Sequence, residues 1–159
     1  MTTDNKGLSR RKLLKAGAIG VPAAGLAAFG STHAAKTTAH ADENLLALVE
    51  SGAPVLTIFG KTWDIHVTEA LQIPLERNLE LIRDSLAFLR SHAGELFYDA
   101  EHFFDGYKAD PAYATACLRK ALEARADLLV LCDTNGGTLP GEIAAIMDAV
   151  RRDLPEARL

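Results

Sequence analysis

Residues 127–140 read DLLVLCDTNGGTLP, and this stretch decides the fold class. Its first half is a continuous hydrophobic run, which is typical of a strand buried on both faces of a parallel sheet. A polar loop with two glycines follows, and Pro140 then opens a helix whose apolar residues share one side. One strand, one polar loop and one helix are therefore the basic unit of this chain.

Earlier segments repeat the same unit. Strands are predicted at 54–59 and 95–100, and each precedes a polar loop and a helical pattern. The first helix, over 75–89, has apolar residues at spacings of three and four, and the second runs from an Asp-Pro entry over 110–126. This alternation predicts an α/β fold with parallel strands, built as a partial TIM (β/α)8 barrel of about four strand and helix units.

The N-terminal region differs in composition from the rest of the chain. Residues 9–15 read SRRKLLK, an almost uncharged stretch follows, and 39–41 form an A-x-A cleavage pattern. Residues 1–41 are therefore predicted to be a twin-arginine-like leader or a disordered N-terminus, and 42–159 the barrel domain. A strand at 26–30 would make the two overlap. The apolar part is too short and too rich in Gly and Ala to predict a membrane span.

Composition and charge limit the classes of partner. The 159 residues carry a formal net charge of -4 with a pI near 5.7, which argues against nucleic acid as a partner. Cys117 and Cys132 are the two cysteines, and their spacing fits neither a metal site nor a disulfide framework. Both are predicted to be reduced structural thiols.

Polar side chains concentrate directly after each predicted strand. These exits are GKTWDIH at 60–66, DAEHFFDGY at 99–107 and DTNGGTLP at 133–140. Parallel α/β folds place their sites at the carboxyl ends of the strands. The three exits are therefore expected to meet in one site.

The same three exits carry a family resemblance. GKTWDIHVTEAL at 60–71, YDAEHFFDGYKA at 98–109 and LCDTNGGTLP at 131–140 resemble the citramalate synthase branch of the 2-isopropylmalate synthase family. That family has a pyruvate carboxyltransferase-type barrel, similar to that of HMG-CoA lyase. The resemblance covers 42–159, and 29–32 is similar to the end of the family's third strand.

The resemblance implies an acyltransferase that condenses acetyl-CoA with a 2-oxo acid. Pyruvate would give citramalate, as in the biosynthesis of isoleucine and other branched-chain amino acids, and a divalent metal would assist. The resemblance places Glu101 at the catalytic glutamate and Thr134 at the threonine that binds the oxo-acid carboxylate. Asp133, Asn135 and His66 are predicted to join Thr134 in substrate binding.

Each of these residues also has a simpler interpretation. Glu101 could be a solvated loop carboxylate, and Thr134 could cap a turn. His66 and His102 could be hydrogen-bonded loop histidines, and neither is predicted to bind metal.

The sequence also departs from the family pattern. No run of the Asp-Thr-Thr-Leu-Arg-Asp-Gly type, no His-x-His metal pair and no counterpart of the family's C-terminal tyrosine is found, so no metal ligand is predicted. The chain is therefore interpreted as an internal fragment that is inactive alone, and whether it is itself an enzyme stays open. The alternative is an exported, non-catalytic α/β binding protein or a non-functional truncated gene product.

Two further expectations concern location and assembly. The resemblance implies a cytoplasmic protein, and the leader would instead imply export to the periplasm. Small molecules, the 2-oxo acid and acetyl-CoA, are the expected ligands. Four strands leave two sheet edges and an exposed inner face, which predicts self-association.

Overall fold

The computed structural model describes residues 26–159, which contain one four-stranded parallel sheet. The strands follow the order of the chain, so that each pairs with the next one. They are β1 (Ala27–Ser31), β2 (Val55–Lys61), β3 (Glu95–Glu101) and β4 (Leu128–Leu131). The predicted α/β fold with parallel strands is confirmed.

Helices connect the strands and follow the last one. They are α1 (Glu43–Ser51), α2 (Leu75–Arg90), α3 (Phe103–Ala109), α4 (Pro111–Glu123) and α5 (Pro140–Asp153). A 3-10 helix spans Ala39–Ala41 and a π-helical segment spans His66–Leu71. Among residues 26–159, no helix has the length and apolar content that crossing a membrane requires.

Local sequence signals account for the helix ends. The Asp42 carboxylate accepts hydrogen bonds from the backbone N–H groups of Asn44 and Leu45, both at 3.1 Å, and so begins α1. Gly52 ends that helix in the left-handed conformation, with φ 66°, which glycine adopts without a steric cost. The predicted entry of α4 is confirmed, because the Asp110 carboxylate accepts from the N–H of Tyr113 at 3.0 Å.

The hydrophobic core lies between the helices and one face of the sheet. The strand residues on this face alternate with those of the opposite face, and they are excluded from solvent because the helices pack against them. They are Leu56, Ile58, Leu96, Tyr98, Ala100 and Leu129, and they belong to one cluster with Leu45, Ile82, Leu86, Leu89 and Leu118 of the helices. This packing holds the carboxyl ends of the strands in fixed positions.

The opposite face of the sheet, which we call the open face, is only partly covered. It is formed by the alternating strand residues Phe29, Phe59, Phe97, Leu128 and Val130. Phe29 is 60% exposed, the other four are half-buried, and the Phe29 and Phe59 rings stack at 5.7 Å. In a closed barrel this face would point into the interior.

The strand at the overlap of leader and domain is present. β1 pairs with β2 from Ala27 to Ser31, and Ala39 of the A-x-A pattern is buried. Cleavage after Ala41 would therefore remove a paired strand. The arginines of the predicted leader lie outside the described residues.

Two segments that were expected to be loops are helical. The π-helical segment begins at His66, and α3 occupies most of the second exit. The amino end of α3 is fixed by a long-range contact, since Phe103 donates its N–H to the Cys132 carbonyl at 3.1 Å. Phe103 and Phe104 are both buried, so packing stabilises a helix that the local pattern did not predict.

Candidate active site

The three polar exits meet at the carboxyl ends of β2, β3 and β4, which we call the mouth. Lys61 and Glu101 are register partners and form the last pair of the ladder between β2 and β3. Paired residues of parallel strands point to the same face, so both side chains extend from the open face. Their ammonium and carboxylate groups form an ion pair, and each side chain is 24% exposed. A charge pair that is three-quarters buried is therefore built into the sheet register.

The backbone beneath this ion pair is fixed from both sides. Thr62 donates its N–H to the Glu101 carbonyl at 3.3 Å, and its hydroxyl donates to the same oxygen. Asn78, fully buried on α2, donates from Nδ2 to the Lys61 carbonyl at 2.8 Å and to the Tyr113 hydroxyl at 2.8 Å. The two strand ends therefore have little freedom, whereas the two charged side chains remain directed into the mouth.

An aromatic cluster borders the ion pair. The His66 and His102 rings meet edge to face at 4.5 Å, and Trp63 lies 4.8 Å from His66 and 5.8 Å from His102. His102 adopts a left-handed backbone, with φ 55°, where β3 turns into α3. Its Nδ1 lies 3.2 Å from the Asp105 carboxylate. The first and second exits are therefore in direct contact.

The environment of His66 favours its neutral form. Burial lowers the pKa of His66, and the positive charges of His102 and Lys61 lower it further. The carboxylates of Glu101 and Asp105 oppose this shift but do not cancel it. A neutral imidazole can both donate and accept a hydrogen bond, so His66 can bind either kind of polar group on a ligand.

The third exit connects to the second through two hydrogen bonds. The Thr134 hydroxyl oxygen accepts from the His102 backbone N–H at 2.9 Å, and Asn135 donates from Nδ2 to the Asp105 carboxylate at 3.0 Å. The Thr134 oxygen already accepts a bond, so its hydroxyl hydrogen is available to a ligand. The structure thus brings Glu101, Thr134 and Asn135 together with His66 at one mouth.

Asp133, the remaining predicted site residue, is held by its own loop. Its two carboxylate oxygens accept from the backbone N–H and the hydroxyl of Thr138, at 3.2 and 2.9 Å. This carboxylate fixes the shape of the third exit. Its predicted contact with substrate stays a prediction.

Two residues of the mouth were not assigned from the sequence. Lys61 was part of the first exit, but only the strand register shows that it pairs with Glu101. Asp99 shares the same face one layer below Glu101, and burial raises the pKa of its carboxyl group. Counting alternate positions back from Glu101 could have placed Asp99 on this face.

The described residues do not form a complete metal site. Among residues 26–159, no group of three or more His, Cys, Asp or Glu side chains is placed to hold an ion. The two mouth histidine rings meet edge to face, and His102 already contacts Asp105 through Nδ1. The metal that the family resemblance implies therefore has no full ligand set in this part of the chain.

A cavity of about 460 Å³ adjoins the mouth. It lies over the ends of β1 and β2, and its wall combines apolar residues such as Phe59, Leu71 and Leu81 with polar ones that include Lys61, Asp42 and Asn44. A larger depression of about 570 Å³ lies along the outer side of α2 and contains none of the mouth residues. Of these two, only the cavity over β1 and β2 shares a residue, Lys61, with the ion pair of the mouth.

Comparison with known proteins identifies relatives. A Geobacter sulfurreducens (R)-citramalate synthase is 58% identical over 129 residues, which are 81% of this chain and 24% of the relative. An Aquifex aeolicus (R)-citramalate synthase is 47% identical over 134 residues, 84% of this chain and 25% of the relative. A Microcystis aeruginosa 2-isopropylmalate synthase is 27% identical over 109 residues, 69% of this chain and 20% of the relative. No family model matches the chain.

A solved structure supports the fold independently. The hydroxymethylglutaryl-CoA lyase from Pseudomonas aeruginosa, a TIM-barrel protein, matches with a TM-score of 0.63 over 83% of this chain and 43% of that one. At 18% identity the match concerns the fold alone. It confirms the predicted partial barrel. The chain is homologous to citramalate synthases and, more distantly, to 2-isopropylmalate synthases, which is consistent with a fragment of that family, and it spans about a quarter of the length of the curated citramalate synthases that it matches.

Proposed function

We propose that residues 26–159 supply the proton-accepting and carboxylate-binding part of an acyltransferase that condenses acetyl-CoA with a 2-oxo acid. The supporting observation is that Glu101 and Thr134, from different strands, lie at one mouth with His66 and Asn135. Pyruvate is the proposed 2-oxo acid, and citramalate the proposed product. Both proposals follow from the names of the relatives.

The proposed chemistry begins at Glu101. Its carboxylate accepts a proton from the methyl group of the acetyl thioester, and the carbon left behind attacks the keto carbon of the oxo acid. A carbon–carbon bond forms while the keto oxygen takes up a proton, and water then cleaves the thioester to release CoA. Holding the reactants side by side supplies much of the rate of such a step.

The other mouth residues orient the 2-oxo acid. The Thr134 hydroxyl donates to its carboxylate, and the neutral imidazole of His66 donates to one of its oxygens. Asn135 and Asp105 hold the loop that carries Thr134 against the start of α3. The divalent metal implied by the resemblance would polarise the keto group when bound. Its ligand set is incomplete among residues 26–159.

The isolated chain is proposed to bind pyruvate without turning it over. The test measures pyruvate affinity by calorimetry and CoA release with a thiol reagent, with and without added Mg²⁺ or Mn²⁺. We expect saturable binding that weakens in Thr134→Ala, and no citramalate above the level of Glu101→Ala. Absence of binding would contradict the proposed site. Citramalate formed by the unmodified chain would contradict its inactivity.

A cytoplasmic location is proposed on the basis of the family resemblance. Export would require processing near Ala41, and the structure offers no support for that alternative, because β1 and buried Ala39 belong to the folded domain.

The open face is proposed to pair with the open face of a second copy. It presents aromatic and aliphatic side chains next to each other, an arrangement that favours association.

A further inference from the structure

Lys61 occupies the position where a negatively charged substrate needs a partner. Its ammonium group has three N–H donors, and the ion pair with one Glu101 oxygen engages one of them. Lys61 also lines the cavity of about 460 Å³ beside the mouth. Two donors of the ammonium group therefore remain for a ligand, and the Lys61 side chain is 24% exposed at the mouth.

The negative charges around the mouth would repel an anionic ligand unless a cation such as Lys61 offsets them. The carboxylates of Glu101, Asp99 and Asp105 all lie at or below the mouth, so an entering carboxylate meets negative charge. The Thr134 hydroxyl is uncharged and cannot offset it. A second ammonium nearby, that of Lys108, donates to the Thr138 hydroxyl at 3.3 Å, on the side of the third exit. Lys61 is the cation in direct contact with Glu101.

We propose that Lys61 binds the carboxylate of the 2-oxo acid and, in doing so, exchanges its ion pair with Glu101 for one with the substrate. This inference rests on the proposed function of the mouth. The exchange leaves the Glu101 carboxylate free to accept a proton only once the oxo acid is bound. The 2-oxo acid therefore binds before the acetyl group is activated.

The anchored backbone supports an exchange of side-chain partners. Asn78 and Thr62 hold the main chain of Lys61 and Glu101, so the ammonium can turn from one carboxylate to the other by side-chain rotation alone. Both side chains are partly buried, which makes an ion pair stronger than one on an open surface. A carboxylate that replaces Glu101 at this ammonium meets the same environment.

The test is a pyruvate titration of the full chain by calorimetry, with Trp63 emission as a local reporter. Trp63 is the single tryptophan of the sequence and lies in the mouth, so a change in its emission reports binding there. The variants are Lys61→Met, Lys61→Arg and Glu101→Gln. Lys120→Met is the matched control, because Lys120 also pairs with a glutamate, Glu123, but on α4 and outside the mouth. Methyl pyruvate, which lacks the carboxylate charge, serves as the control ligand.

The expected results follow from competition for one ammonium group. Lys61→Met should weaken pyruvate binding about 10-fold or more, while Lys61→Arg should keep most of the affinity because it keeps the charge. Glu101→Gln should tighten pyruvate binding, since Lys61 is then released to the ligand. Methyl pyruvate should bind Lys61→Met and the unmodified chain equally, and Lys120→Met should behave as the unmodified chain.

The outcomes separate the two proposals. If the unmodified chain does not bind pyruvate, both the proposed function and the role of Lys61 are overturned. If it binds pyruvate but Lys61→Met binds equally well, the role of Lys61 alone is overturned. Should Lys61→Met fail to fold by circular dichroism, Glu101→Gln decides: unchanged or weaker pyruvate binding by that variant overturns the exchange.

Discussion

Replacement of Gly106 by alanine should damage both the fold and the mouth. Gly106 lies on α3 against the backbone that follows β2, and an added Cβ would contact the Thr62 carbonyl and come within 2.9 Å of Trp63 Cα. Both neighbours are main-chain atoms, which cannot rotate away. α3 would have to move by roughly an ångström to restore ordinary carbon–carbon separations.

The size of the effect is the balance of two terms. Forcing extra volume into a packed contact costs about 1–3 kcal/mol, and alanine in place of glycine within a helix returns up to about 1 kcal/mol. The net loss of unfolding free energy should be about 1–2 kcal/mol, which lowers Tm by roughly 3–8 °C for a domain of this size. Movement of α3 would also carry Asp105 away from Asn135, so pyruvate affinity should fall.

The assay is thermal and urea unfolding followed by circular dichroism, with Gly141→Ala as the control. Gly141 lies in the first turn of α5, and an added Cβ there meets nothing within 4 Å. The control should therefore be neutral or slightly stabilised. A Gly106→Ala chain that melts at or above the temperature of the unmodified chain would refute the close packing of α3 on the mouth.

Four further predictions address the rest of the molecule. Burial alone would raise the pKa of Asp42, but four hydrogen bonds to its carboxylate lower it on balance. Asp42→Ala should lose about 1–2 kcal/mol in urea unfolding at pH 7, and a loss that stays undiminished as the pH falls through 3.8 and below, where the unfolded carboxyl takes up its proton first, would contradict this. Lys61→Met should raise the pKa of His66 in an NMR titration, because a repelling charge is removed, and an unchanged or lower value would be inconsistent. Burial raises the pKa of the Cys132 thiol from 9.0 to about 11, so alkylation at pH 8 should be about 100-fold slower than that of an unperturbed thiol, as measured by mass spectrometry. Because of the open face, the chain should sediment as a dimer or larger species; a concentration-independent monomer with a cooperative melt would rule that out.

The sequence was sufficient for the elements whose sequence signal is local. The Asp110-Pro111 entry and the hydrophobic run at Leu128–Leu131 carry their own signals, and both elements lie where they were predicted. α3 lacks such a signal, because it follows a left-handed His102 and contains Gly106. Its stability comes from burial of Phe103 and from the hydrogen bond of Phe103 to Cys132, which lies 29 residues further along the chain. Contacts of that kind cannot be read from a local pattern.

The candidate site was predicted in part. The resemblance supplied Glu101 and Thr134, and the general geometry of parallel strands predicted that their loops would meet. The pairing of Lys61 with Glu101 depends on the alignment of β2 with β3, and a shift by one residue would turn these side chains to opposite faces. The sequence alone does not fix that alignment, so the ion pair emerged only from the structure. The chemical roles of these residues stay predictions.

The order of the strands also bears on how the chain folds. Because each described strand pairs with the next one in sequence, every strand pairing can form as soon as one helical connection has closed. Two neighbouring strands and the helix between them are a natural first nucleus, and β2 with β3 makes the longest ladder. The pairings of β1 and β4 would then be added at its two sides. Amide hydrogen exchange should accordingly be slowest in β2 and β3 and faster in β1 and β4, a gradient of protection that runs outward from the middle of the sheet.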